Sequence, residues 1–140
     1  MPRRTETIVI TDEGRDKGKT YIIHEMAASQ AEWWAARAFL ALARSGAEIP
    51  EDAVQGGMMG VARYGIRGLA SLSPEEAKPL LDEMFALVSF VPDPARPMVV
   101  KGWGGVASLS EDDIEEVATR VKLRMALIAL HLGFSVPVAP

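Results

Sequence analysis

Glu25-Met-Ala-Ala-Ser-Gln-Ala-Glu-Trp-Trp-Ala-Ala-Arg-Ala-Phe-Leu-Ala-Leu-Ala-Arg-Ser-Gly46 holds two of the chain's three tryptophans in a run rich in alanine and leucine. Both of those residue types are strong helix formers, and the run predicts a helix over 26–45. At about 100° per residue, Ala27, Ala31, Trp34, Ala35, Ala38, Phe39 and Leu42 share one broad apolar arc. Gln30, Arg37 and Arg44 line up at seven-residue steps on a narrow polar stripe, and Trp33 and Leu40, also seven apart, flank it outside the main arc. So little polar surface implies a central helix covered on more than one side, with Gly46 placed to end it.

Working outward toward the N-terminus, residues 6–24 give the one β signal. Ile8-Val9-Ile10 and Thr20-Tyr21-Ile22-Ile23 bracket the polar, glycine-containing run Asp12 to Gly18, which predicts a β-hairpin. An isolated hairpin is marginal in water, so this one must lie on the helices or pair with another chain, and its edges are a place for self-association.

Toward the C-terminus a second helix is expected over 52–70, with Val54, Met58, Val61, Ile66 and Leu69 near one side. Its five glycines, Gly56, Gly57, Gly60, Gly65 and Gly68, each cost about 1 kcal/mol relative to alanine in a helix. Close helix approach and a flexible, partner-dependent helix are the two readings of that cost. A phosphate loop is disfavoured, because the Lys-Ser/Thr of a P-loop is missing. Ser73 as N-cap, Pro74 at the first helical position and Glu75-Glu76 in the first turn then open a helix over 74–90. It offers Leu81, Met84, Phe85 and Val88 to the core, and Pro79 bends its first turns.

Residues 91–109 read as a long loop, with three prolines between Val91 and Pro97, a short extended piece at Met98-Val99-Val100 and three glycines around Trp103. Ser110 to Asp113 reads as a capping box opening a helix over 111–132, whose charge runs from acidic to basic along its length. Ile114, Val117, Ala118, Val121, Met125, Ile128 and Leu132 form one apolar face, expected to be core; Leu123, Leu127 and Leu130 form a second, almost opposite, expected to meet another molecule. Gly133 ends the helix and 134–140 is a tail. The whole of 1–140 is expected to be a single domain: a mainly α, compact bundle of about four helices with an N-terminal β-hairpin and a long Pro/Gly-rich loop before the last helix.

Composition narrows the function classes. Hydrophobic residues make up 49% and charged residues 24% of the 140, the balance of a globular protein. No apolar run reaches the roughly 18 residues of a membrane span, and no apolar signal core follows Arg3-Arg4, so a cytoplasmic location is expected. The absence of cysteine removes disulfides and thiolate chemistry, and a net charge of −4 disfavours non-specific nucleic-acid binding. His24 and His131 stand without a second ligand or base at helical spacing, and no nucleophile elbow, zinc spacing or dinucleotide fingerprint is present. No enzyme activity, metal or cofactor is expected.

A family resemblance runs through the chain in order: Glu32, Trp34-Ala35 and Arg37-Ala38; Glu75-Glu76-Ala77-Lys78-Pro79-Leu80-Leu81-Asp82-Glu83-Met84; Val91-Pro92-Asp93-Pro94 with Arg96-Pro97; and Glu111-Asp112-Asp113-Ile114-Glu115-Glu116-Val117 leading to Leu123-Arg124. Together these phrases resemble the tail assembly chaperones of tailed bacteriophages and prophages, over roughly residues 22–134. The glycine-rich insert from Lys101 to Ser108 and Trp33 depart from that pattern. The resemblance implies a mostly helical cytosolic protein that coats the tape measure protein and recruits the tail tube protein. Periodicity assigns client contact to Leu123, Leu127 and Leu130 with Trp33 and Leu40, and Trp103 as a loop anchor. A structural tail-completion or head-tail joining protein, and less so a small DNA-binding regulator using Arg63 and Arg67, are the competing expectations.

Overall fold

The computed structural model describes residues 3–44 and 72–133. The expected 52–70 helix, with its glycines and Arg63 and Arg67, and the 134–140 tail lie outside these residues. The chain divides into two compact units, Met1–Glu25 with Met84–Leu130 and Met26–Glu83 with His131–Pro140.

The first unit starts with the expected hairpin: β1 (Thr5–Val9) pairs antiparallel with β2 (Thr20–His24), in a register running from Thr5 opposite His24 to Val9 opposite Thr20. Two strands alone would be marginal, and β2 is completed by a strand of the same chain, β3 (Val88–Val91), with Tyr21 opposite Phe90 and Ile23 opposite Val88. A two-residue strand, β4 (Lys101–Gly102), pairs with β3, giving a four-stranded antiparallel sheet in the order β1-β2-β3-β4.

This sheet overturns the mainly α expectation: with three α-helices among the described residues, the fold is α+β and not a bundle of four helices. The error lies in the helix expected over 74–90, which runs only from Pro74 to Phe85 (α2). Leu87 N–H donates to the Met84 carbonyl to close a turn, and the Leu87 carbonyl then accepts from His24 N–H as the chain enters the sheet. Val88-Ser89-Phe90-Val91 is short and apolar, and a helical period cannot separate such a run from a strand buried on both faces. All four of its residues are buried. The 91–109 loop is corrected in the same way. Its extended piece falls at Lys101–Gly102, one step beyond Met98-Val99-Val100, and Met98 and Val99 are exposed. Gly102 is required there, since its φ is +86° and an added Cβ would lie 2.5 Å from the Val88 carbonyl oxygen.

The helix expected over 111–132 also starts late. Ser110 N–H donates to the Asp113 carboxylate at 2.8 Å, but the box caps only a three-residue 3-10 turn, Glu111–Asp113, after which Ile114 is extended. The α-helix proper, α3 (Val117–Gly133), is preceded by N–H groups of Glu115 and Glu116 that donate to the carboxylate of Asp16, from the hairpin loop. Its faces are reversed relative to expectation. Leu123 and Leu127 are 0% and 1% exposed, whereas Val117, Val121 and Met125 are 76%, 52% and 62% exposed.

In the second unit α1 (Ala28–Arg44) follows the predicted 26–45 closely and buries Trp34, Ala35, Ala38, Ala41 and Leu42. Ser73 caps α2 as expected, its Oγ accepting from Glu76 N–H and donating to the Glu76 carboxylate. Trp34 Nε1 donates to the Leu80 carbonyl at 2.9 Å, and Arg37 donates to both carboxylate oxygens of Glu83 at 2.6 and 2.7 Å. These bonds tie α1 to the part of α2 that follows Pro79, whose missing N–H interrupts the α2 hydrogen-bond ladder. His131 is buried, and its Nε2 accepts from Met26 N–H at 3.0 Å.

Candidate partner-binding surfaces

The two helices of the second unit leave a groove between them. Trp33, Leu40, Ala41, Pro79 and Leu80 line its apolar part, and it encloses about 490 Å³. The seven-residue spacing of Trp33 and Leu40 puts both on the rim of α1, exposed and on one side, as the sequence suggested. Arg37 lies over the Trp33 ring at 5.5 Å while holding Glu83, and Arg44 approaches Glu76 at 3.9 Å. The rim therefore carries both signs of charge, and the groove selects for apolar matter more than for an ion.

A second apolar surface lies on α3 in the first unit. Taken by helical angle, Val117, Ala118, Val121, Met125, Ile128 and Ala129 occupy one continuous arc of about 120° with no polar residue in it. All but half-buried Ile128 are exposed. Arg120 and Arg124 border one side of the arc and Lys122 the other. The two guanidinium groups are held over the Phe85 ring at 4.4 and 4.7 Å, and Lys122 reaches Asp12 at 2.9 Å. A soluble domain does not normally leave a full helical face of this kind in water.

The remaining predicted contact residues are placed differently. Leu123 and Leu127 are core side chains and offer no contact surface, and Leu130 is half-buried beside them. Trp103 is partly exposed and stacks on His24, with ring centroids 3.9 Å apart and planes at 24°. It is held by the chain itself. Ser89 Oγ donates to the Trp103 carbonyl at 2.7 Å and lies 2.8 Å from His24 Nε2. With the Ser89 proton committed to that carbonyl, Nε2–H must donate to Ser89 Oγ, so this Ser-His pair has no base poised to activate the hydroxyl. Ser89 is buried, and burial holds the His24 pKa below its ordinary value. The pair latches β4 to the sheet.

Compared with known proteins, the chain matches no family model, no curated protein and no solved structure.

Sequence reasoning missed Asp16, the most heavily engaged acid of the first unit. Although 1% exposed, it accepts from Lys19 Nζ and from the backbone N–H groups of Glu115 and Glu116 at 2.8 to 3.1 Å. Burial alone would raise its pKa. The hydrogen bonds from Lys19, Thr119 and the two backbone groups outweigh burial and hold the carboxyl well below the usual range. Nearby, Asp113 pairs with Lys101 at 2.8 Å, and Tyr21 Oη donates to the Asp113 carbonyl at 2.6 Å. These bonds hold the hairpin loop, the 3-10 turn and the start of α3 together. Among the described residues no group of three or more His, Asp or Glu side chains is placed to hold a metal ion, and no helix is long and apolar enough to cross a membrane.

Proposed function

We propose that this protein is a tail assembly chaperone of a tailed bacteriophage or prophage, acting in the host cytoplasm without catalysis. In this reading it binds the tape measure protein through apolar helix surface and helps recruit tail tube subunits. The observation that carries the proposal is the solvent-facing apolar arc of α3, centred on Val117, Val121 and Met125. Such an arc accepts the apolar stripe of a client helix, and shielding that stripe from water is the physical content of chaperoning a long amphipathic polypeptide. The groove holding Trp33 and Leu40 supplies a second apolar contact of the same kind. The sequence phrases in 32–38, 75–84, 91–97 and 111–124 supply the phage-specific part of the reading.

The test is co-expression with the tape measure protein encoded nearby, followed by size-exclusion chromatography with light scattering. A tape measure protein made soluble and co-eluting in a defined ratio supports the reading. A client that stays insoluble, with this protein instead retained in purified particles, replaces it with a structural tail-completion or head-tail joining role.

A further inference from the structure

We infer that the outer edge of β1 is the contact through which two copies of this chain pair, strand against antiparallel strand, about a two-fold axis at Thr7. The inference is independent of what the helices bind. β1 is an end strand of the sheet, with β2 on its one paired side. Its even-numbered residues face β2: the Arg4 carbonyl accepts from Glu25 N–H, and Ile10 N–H donates to the Lys19 carbonyl. Hydrogen-bonding direction alternates along an antiparallel strand, so Thr5, Thr7 and Val9 turn their N–H and C=O groups away from the sheet. All three are exposed, Val9 at 52%. The strand lacks the proline, lysine or bulge that commonly blunts an edge, and its register with β2 is unbroken.

Backbone groups alone would accept any strand, and the side chains favour a copy. With the axis at Thr7, Thr5 faces Val9 of the copy and Thr7 faces its own counterpart, so all three outward residues of each strand are paired at once. Exposed Val9 is covered, and the two Thr7 side chains form a favourable cross-strand pair. Glu6, the one charge on β1, falls opposite Ile8 of the copy and not against itself. The ends of the strand agree with this register. Arg3 and Arg4 are exposed and have no acidic partner among the described residues, and the antiparallel copy brings its Asp12 and Glu13 to that end. Those acids bond Lys122 and Lys17 at exposed positions, where an ion pair holds weakly and a carboxylate accepts more than one donor. A parallel copy would instead set Arg3 and Arg4 against themselves.

The experiment is sedimentation equilibrium on the full chain, with amide hydrogen exchange followed by NMR. An edge ladder of this length buries less than a standard interface of about 1,600 Å², so the dimer should form over a range of about 10 to 500 µM. The Thr5, Thr7 and Val9 amides should gain protection as concentration rises through that range. Thr7→Pro removes an outward N–H and no bond to β2, and should raise the dimer dissociation constant at least about tenfold with the hairpin intact. Thr7→Lys and Thr7→Glu each set like charges opposite one another at the axis. Either variant alone should be monomeric, and an equimolar mixture of the two should dimerise again. Circular dichroism confirms the fold of each variant, and the Lys and Glu variants decide the matter should Thr7→Pro unfold. A wild-type chain that stays monomeric to about 1 mM overturns the inference. So does a dimer that survives the Thr7 variants, or a mixture of the two charged variants that stays monomeric. A dimer lost in Val121→Asp and kept in Thr7→Lys moves the contact to α3. Edge amides protected only when a second protein is added, with the chain alone monomeric, give the edge to a foreign strand and overturn the copy.

Discussion

Two sides of α3 both carry large apolar residues and have opposite fates. Thr119, Leu123, Leu127 and His131 are buried, while Val117, Val121 and Met125 stand in water. Burial is decided by what the rest of the chain offers. Asp16 fixes where the helix starts, and Phe85 receives Arg120 and Arg124 at one edge of the inner side. Hydrophobicity alone would have chosen the valine and methionine side just as readily. The comparison breaks most directly at Leu123. Leu123→Ala empties a fully enclosed site and should cost about 2–5 kcal/mol of unfolding free energy in urea, whereas Val121→Ala, one turn-face away, should fall within about 0.5 kcal/mol. Similar losses at the two positions would mean that the outer face is covered.

Asp16 supplies the next largest effect, because it sets the helix start that separates the two sides. Asp16→Asn removes the charge paired with Lys19 and turns part of an acceptor into a donor facing backbone N–H groups, a loss of about 2–4 kcal/mol at neutral pH. The pH dependence has a definite sign. The folded-state pKa lies below the unfolded value of about 3.9, so the unfolded chain binds more protons, and the stabilisation is complete above that value and lost as pH falls beneath it. The gap between wild type and Asp16→Asn should therefore close as a urea titration is repeated from about pH 5 downward. Asp113, also held below its ordinary value, keeps some acid sensitivity in the variant.

Local signals in the sequence were reliable where a residue acts on its own neighbours. The hairpin, α1 and the Ser73 cap of α2 were legible because turn chemistry, helix period and capping act within a few residues. The errors came where a distant partner decided the outcome. Val88-Ser89-Phe90-Val91 continues the apolar period of α2 and becomes a strand because β2 has an open edge to fill. Ser110 to Asp113 carries a sound capping pattern, yet the longer helix takes its N-terminal acceptor from Asp16, about a hundred residues away in the chain. No pattern around Asp16 distinguishes it from the other polar residues of the hairpin turn. The exposure of Trp33 and Leu40 on one rim of α1 was legible from their spacing, and the choice between the two stripes of α3 was not.

His131 offers a smaller effect at the end of the same inner side. Its Nε2 is the acceptor for the buried Met26 N–H, and phenylalanine would keep the ring volume while leaving that donor without a partner. His131→Phe should cost about 1–3 kcal/mol. Hydrogen exchange gives the specific readout, because the Met26 amide should exchange faster relative to the buried amides of α1, and unchanged protection there would remove His131 from its role.

Met125→Gln should change stability least and therefore tests the outer face most cleanly. Methionine and glutamine have similar length and helix propensity, and the side chain at 125 is largely in water, so unfolding free energy should stay within about 0.5 kcal/mol of wild type. A larger loss would show that Met125 is packed in the free protein and that α3 has no open side. If stability is unchanged, the same variant should weaken binding of a leucine-striped peptide by roughly the transfer energy of the apolar groups removed, about 1 kcal/mol or fivefold in anisotropy titration. Unchanged stability with weakened binding is the combination expected of a face that the fold leaves open for another molecule.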